Sequence, residues 1–327
     1  MRRRDFTALI VVGTTMWPFH IHAQQSRKMP RIGVLLPGGS VSSSPRTKAF
    51  LEGLRELGYV EGRTIAIEWK WGNDQVDTFS GLAADLVRSS VDVIVTGGTP
   101  AAKALKATTR TIPIVVAVVG DPVAAGLVDN LARPGGNVTG FSIVAPELGT
   151  KRLELVKEIV PNLSSIAVLL NPKNPQSKIE MKEMQTAAQA MGLRLRTAEI
   201  STEGQFEDAF VTMNKAGEQA LILLTDSIFF SERKRIVDLA NKYKLPAMYF
   251  FPVFVEDGGL MSYGPSDADL FRRAAGYVDR ILKGAKLGEL PVEQPTKFDL
   301  YINLSTAKTL GVKIPESFVA RAAKVIE

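Results

Sequence analysis

Arg31-Ile32-Gly33-Val34-Leu35-Leu36 is an apolar run opened by one charged residue and closed by Pro37-Gly38-Gly39-Ser40. A strand with one face in water alternates polar and apolar residues; a strand covered on both faces does not. The run predicts an interior strand of a parallel sheet. Working outward, Phe50, Leu51, Leu54 and Leu57 share one helical face, and Gly58 supplies the stop. Residues 64–71 alternate, with Ile65, Ile67, Trp69 and Trp71 on one side, as a half-buried strand does. The two tryptophans are read as packing residues. Helical patterns over 79–88 and 101–108 separate apolar runs at 91–95 and 112–119.

The same order recurs from Ser165. Ile166-Ala167-Val168-Leu169-Leu170 matches the first run and ends in Asn171-Pro172. Helical patterns over 176–191, 206–215 and 231–243 alternate with strand patterns at 193–200, 221–224 and 246–250. Strand–helix alternation predicts parallel sheets with helices on both faces. Two copies of one unit predict an α/β chain of two similar lobes. The join is expected near the turn-rich Arg133-Pro134-Gly135-Gly136-Asn137, and a second crossing near residues 262–265. The amphipathic segment 270–282 is expected to pack back on the first lobe. The assigned divisions are 30–143 with 263–290 for the N-terminal lobe and 144–262 with 291–327, including 298–303 and a final helix, for the C-terminal lobe.

The first residues predict export. Arg2, Arg3 and Arg4 precede an apolar stretch to about Phe19, and Ile21-His22-Ala23 ends on a small residue. This is the order of a signal peptide over 1–23, and Arg3-Arg4-Asp5-Phe6 resembles a twin-arginine signal. The stretch is too short to span a bilayer, which takes about 20 apolar residues. A chain without cysteine forms no disulfide and carries no cysteine-linked lipid. A freely diffusing protein in the periplasm of a two-membrane bacterium is the resulting expectation. Both histidines, His20 and His22, fall in the predicted signal. The remainder has neither His nor Cys, which excludes Ser-His-Asp and Cys-His catalysis and the usual zinc sites. Catalysis by Asp, Glu, Lys or Tyr stays open. Residues 1–23 hold three Arg and one Asp, so the rest carries +4 of the formal +6, spread along the chain. No basic stripe with interleaved aromatics marks a nucleic-acid surface. No cofactor or metal is expected.

In open parallel sheets, ligands bind beyond the carboxyl ends of the strands, where helices begin and their unpaired N–H groups favour anions. Three such loops per lobe carry the candidate residues: Gly39 and Ser40, Thr99 and Pro100, and Asp121 in the first; Asn171, Asn174 and Ser177, Asp226, and Phe250 in the second. Ser40, Thr99, Asn171, Asn174 and Ser177 are neutral donors suited to a carboxylate. Asp121 and Asp226 suit an ammonium group. Phe229, Phe230, Phe250 and Phe251 can wall an apolar side chain, with at least two of them expected in the core. This set fits an amino acid better than a phosphate ester, which attracts Arg or Lys. Structural roles stay open for Asp121 and Asp226 as turn or cap residues and for Thr99-Pro100 as a helix start.

Longer motifs carry a resemblance. RIGVLLPG (31–38), LRELGYVEG (54–62), VDVIVTGGTPAA (91–102), GDPVAAGLV (120–128), LARPGGNVTG (131–140), KRLELVKEIVP (151–161), GGLMSYGPS (258–266) and LPVEQPTKFDLYINLSTAKTLG (290–311) run through the chain. From about Pro30 to Glu327 the sequence resembles the ABC-transporter substrate-binding family related to tryptophan and tyrosine uptake proteins. The resemblance implies the type I periplasmic-binding fold: two Rossmann-like lobes, a multi-strand hinge and a ligand between them. It also implies a membrane permease with a cytoplasmic ATPase as partners, and ligand contacts at Thr99, Pro100, Asp121, Asn171, Asn174 and Asp226. Tyr249-Phe250-Phe251-Pro252-Val253 is bulkier than the family pattern. A sensing module that feeds a receptor, and an exported enzyme on the same fold, remain the alternatives.

Overall fold

Thirteen strands divide between two sheets in the computed structural model, which describes residues 29–39, 44–73, 75–143 and 147–327. The export segment expected over 1–23 and the candidate Ser40 lie outside the described residues. The strands are β1 (Arg31–Leu36), β2 (Ala66–Trp71), β3 (Val93–Gly97), β4 (Ile114–Val119), β5 (Val138–Ser142), β6 (Ser165–Leu170), β7 (Arg194–Glu199), β8 (Ala220–Leu223), β9 (Ala247–Tyr249), β10 (Met261–Gly264), β11 (Val292–Glu293), β12 (Asp299–Asn303) and β13 (Lys324–Ile326). The first sheet runs β2-β1-β3-β4-β5-β11 and the second β7-β6-β8-β9-β10-β12-β13. The first five strands of each lobe thus take the same spatial order, which is the duplication expected from the sequence. The lobes differ at their sixth strand: β11 lies parallel to β5, whereas β12 lies antiparallel to β10.

Burial explains the strand patterns. β1 is buried from Ile32 to Leu36 and β6 throughout, because each has neighbours on both edges and helices on both faces. β2 and β7 are sheet edges and stay partly open. On β2, Trp69 and Trp71 stack at 5.6 Å between ring centroids, and Trp69 Nε1 donates to Glu61. Helix Pro45–Glu56 starts where the Ser44 hydroxyl accepts the Thr47 N–H and Pro45 follows, a stabilising start because it occupies an otherwise unpaired donor.

The chain passes between the sheets three times: after β5, after β10 and after β11. The turn at 133–137 is not a crossing, because it leads into β5 of the first sheet. Two expected boundaries also move. β10 pairs with β12 through Gly264, so 263 and 264 stay with the second sheet. Val292 and Glu293 pair with Gly140 and Phe141, so the excursion into the first lobe outlasts residue 290. A two-residue strand is too short to show a period. Helix Asp267–Leu282 packs against helix Pro45–Glu56 and β3, β4 and β5 of the first lobe. Contact there is close: a Cβ on Gly53 would stand 2.6 Å from the Arg272 carbonyl oxygen. Residues 304–327 form helix Leu304–Leu310, one turn at Glu316–Val319 and β13, so the chain ends on a strand beside β12 where a helix was expected.

Candidate functional site

The carboxyl ends of both sheets face each other, and two adjoining cavities lie between them. The central one is bounded by Gly97, Gly98, Thr99, Pro100 and Gly120 of the first lobe and by Asn174, Gln176, Asp226 and Phe251 of the second. The other lies toward the crossings and is bounded by Ile143, Arg152, Glu180, Glu183, Phe250 and Pro265. Gln176, Thr225, Ile143 and Phe251 belong to both walls.

Local chemistry sets each loop. β3 ends at Gly97, and Gly98 caps helix Thr99–Thr108 with φ 86°, a left-handed value that favours glycine. Thr99 is therefore inside the helix and not its cap, and its hydroxyl accepts the Gly120 N–H at 3.3 Å. The first residues of this helix, Thr99 and Pro100, line the central cavity. In the second lobe, Asn174 caps helix Pro175–Ala190 by accepting the Gln176 N–H at 3.1 Å. Its amide donates to Asp226 Oδ2 at 2.8 Å. Asp226 Oδ1 accepts from Asn171 Nδ2 at 3.2 Å and from the Ile228 N–H at 3.0 Å. Burial pushes the Asp226 carboxyl above its usual range, and these bonds work against the shift. Asp226 thus lines the cavity with its oxygens already engaged inside its own lobe.

The other sequence candidates divide. Phe250 borders the cavity near the crossings and meets Phe251 and Phe254 edge-on at 4.9 Å each. Phe251 borders both cavities, and Phe229 is core, against Phe206. Asn171 supports Asp226 and accepts the Lys173 N–H. Ser177 is 1 % exposed, and its hydroxyl has no partner among the described residues. Asp121 lines neither cavity. Its Oδ1 accepts the Val123 and Ala124 N–H groups at 2.9 Å each, so the carboxylate holds its own turn. Gly39 stands outside both walls, beside Asn73.

Three contacts that sequence reading does not supply join the lobes. Gln176 Oε1 accepts the Asp121 N–H across the cleft at 2.8 Å. That approach needs a glycine at 120, where a Cβ would lie 2.4 Å from the Gln176 side chain. Arg46 of the first lobe lays its guanidinium 3.4 Å from the Phe230 ring centroid of the second. Its Nε donates to Asp267 at 2.6 Å. A desolvated cation over an aromatic face contributes on the order of 2 kcal/mol. One apolar cluster also runs continuously from Val34 and Phe50 through Phe271 and Phe251 to Phe229. The lobes are therefore closed on each other.

Known proteins match this architecture. A tyrosine-binding protein of Clostridioides difficile (strain R20291) is 29 % identical over 289 residues, 88 % of this chain and 83 % of that protein. The crystal structure of an ABC domain from Streptococcus pneumoniae in complex with L-Trp is 29 % identical with a TM-score of 0.84, covering 91 % of this chain and all of that one (100 %). The ligand-free, open structure of a substrate binding protein with adhesive properties from Clostridium difficile is 26 % identical. It covers 91 % of this chain and 99 % of that one, at a TM-score of only 0.64. That structure is an open one, whereas the lobes here are closed on each other. The two-lobed fold is that of type I periplasmic-binding proteins. The model of the ABC transporter substrate binding protein family matches residues 32–326, and the chain belongs to that family.

Proposed function

We propose that this chain is the extracytoplasmic solute-binding component of an ABC importer and takes an amino acid, with aromatic amino acids as first candidates. The observation that carries the proposal is the closed cleft, in which loops from both lobes wall two adjoining cavities and Gln176 bridges the lobes. The start of helix Thr99–Thr108, Asn174 and the Phe250–Phe251 pair supply polar and apolar walls of the kind that small-molecule sites use. The names of the tyrosine-binding and L-Trp-bound relatives support the ligand class. Ligand enters the open form, and contacts from both lobes then stabilise closure. A permease with its ATPase reads the closed shape and receives the ligand. No reaction is assigned to the chain.

Thermal unfolding of residues 24–327 with each amino acid tests the ligand class. A ligand that binds only the folded state raises the midpoint. Tryptophan, tyrosine or phenylalanine is expected to do so; no shift with any amino acid removes that class. Closure gives a second expectation. Gln176→Ala deletes one bond between the lobes, a loss of about 1 kcal/mol, so the ligand dissociation constant should rise roughly fivefold by calorimetry. An unchanged constant would mean that the bond does not contribute to closure.

A further inference from the structure

The cavity near the crossings contains a charge that no contact among the described residues neutralises. Arg152 sits on helix Glu147–Ile159 at a position spaced four residues from Leu148 and Val156, on the buried face. It is 4 % exposed and lines the cavity wall. Its Nε donates to the Tyr263 carbonyl oxygen at 2.9 Å, which fixes the side chain against β10. Gly264 leaves it room: a Cβ there would stand 3.3 Å from Nη2. A guanidinium has five N–H donors. Among the described residues, the Nη groups of Arg152 have no hydrogen-bond or ion-pair partner. Glu180 is close enough for its charge to be felt, but it accepts the Thr225 N–H at 3.3 Å and a bond from Gln176. Buried cations are ordinarily paired, and planar guanidinium donors match a carboxylate edge with two parallel bonds.

We infer that Arg152 anchors the carboxylate of the ligand in this cavity, with the ligand body passing Phe250 and Phe251 into the central cavity. The inference rests on the reading of this cleft as a ligand site and deepens it. It puts the anionic end beside the crossings, away from the Thr99 helix start, and makes a carboxylate the required feature of the ligand. For an amino acid, Glu180 and Glu183 on the same wall suit the neighbouring ammonium group.

The test is calorimetric binding of L-tryptophan, L-tyrosine and their carboxamides to residues 24–327, unaltered and with Arg152→Gln or Arg152→Lys. The unaltered protein should bind the acids roughly fiftyfold more tightly than the amides, a comparison that needs no variant. Arg152→Gln should weaken acid binding by a similar factor and abolish the acid–amide preference, while Arg152→Lys keeps part of it. Equal binding of acid and amide, or an acid affinity unchanged in Arg152→Gln, overturns the inference and leaves the importer reading standing. If neither amino acid binds the unaltered protein, the amino-acid reading falls separately. The same comparison then runs over non-amino carboxylic acids and uncharged polyols. A carboxylate that needs Arg152 upholds the inference. Ligands found only among uncharged solutes, or none among the carboxylates, overturn it.

Discussion

Gly140→Ala is expected to lower the unfolding midpoint by on the order of 10 °C, through a loss of about 4 kcal/mol. Gly140 lies in β5 with φ 129°, a backbone conformation that residues with a Cβ rarely adopt. Space is the larger obstacle. An added Cβ would stand 2.1 Å from the Val116 carbonyl oxygen and 2.7 Å from the Val116 nitrogen. Both atoms belong to β4, whose Val116 pairs with Gly140 in register, so no side-chain rotation relieves the contact. The two strands must separate or β5 must turn, and either breaks ladder bonds in the middle of the first sheet. Val292 of β11 pairs with the same glycine on its other side, so the damage reaches the third crossing as well. Gly136→Ala is the control, because nothing lies within 4 Å of an added Cβ and its φ is not in the left-handed region. Calorimetric scans of the two variants should differ widely. A midpoint for Gly140→Ala within two or three degrees of the control, roughly 1 kcal/mol, would show that the sheet yields without cost.

The sequence makes the scaffold readable and leaves the contacts between lobes unreadable, for one physical reason. A strand covered on both faces writes a local signal, as in Ile32–Leu36 and Ile166–Leu170, and the loops at the ends of such strands follow from it. Thr99, Asn174, Asp226 and Phe250 were accessible that way, and the structure places all four on cavity walls. Asp121 shows the limit: its neighbours two and three residues on already claim its carboxylate, and a loop position alone does not reveal that. Arg46 and Gln176 acquire their roles only when a second lobe stands opposite. Arg152 and Glu180 come from helices. A charge on a helix is read as solvated by default, yet Arg152 shares a stripe with Leu148 and Val156, and Glu180 lies midway between Gln176 and Met184, four residues from each. Charged residues in phase with an apolar stripe were the available signal. The second crossing follows Gly264, inside the turn-rich 262–265 where it was expected, whereas the two-residue β11 and the return after it had no local signal, because they depend on pairing between distant segments.

Glu180 should make the protein less stable as pH rises through the neutral range. Burial pushes its carboxyl from 4.5 up to about 7, with Arg152, the Thr225 N–H and Gln176 pulling in the other direction. Below about pH 4.5 both folded and unfolded chains hold the proton, so the group contributes nothing to the balance. Between about 4.5 and about 7 the folded chain still holds a proton that the unfolded chain has released, and stability falls with pH. Above about 7 the loss is complete. It amounts to roughly 2 kcal/mol after allowance for the part of the side chain that reaches the cavity. Glu180→Gln keeps the shape and an acceptor for the Thr225 N–H but cannot ionise. Urea unfolding at pH 5 and pH 8 is therefore expected to show a fall for the native sequence that exceeds the fall for the variant by roughly 2 kcal/mol. Asp226, whose carboxyl burial also raises, acts in the same direction but is present in both proteins, so the difference isolates Glu180. Equal falls in the two proteins would place the Glu180 carboxyl in its ordinary range and remove the buried acid from the account of this cavity. A larger fall for the native sequence would mean that the wall carrying Arg152 and Glu180 changes charge within the neutral range, and ligand affinity should then change between pH 6 and 8 in the native protein and remain flat in Glu180→Gln.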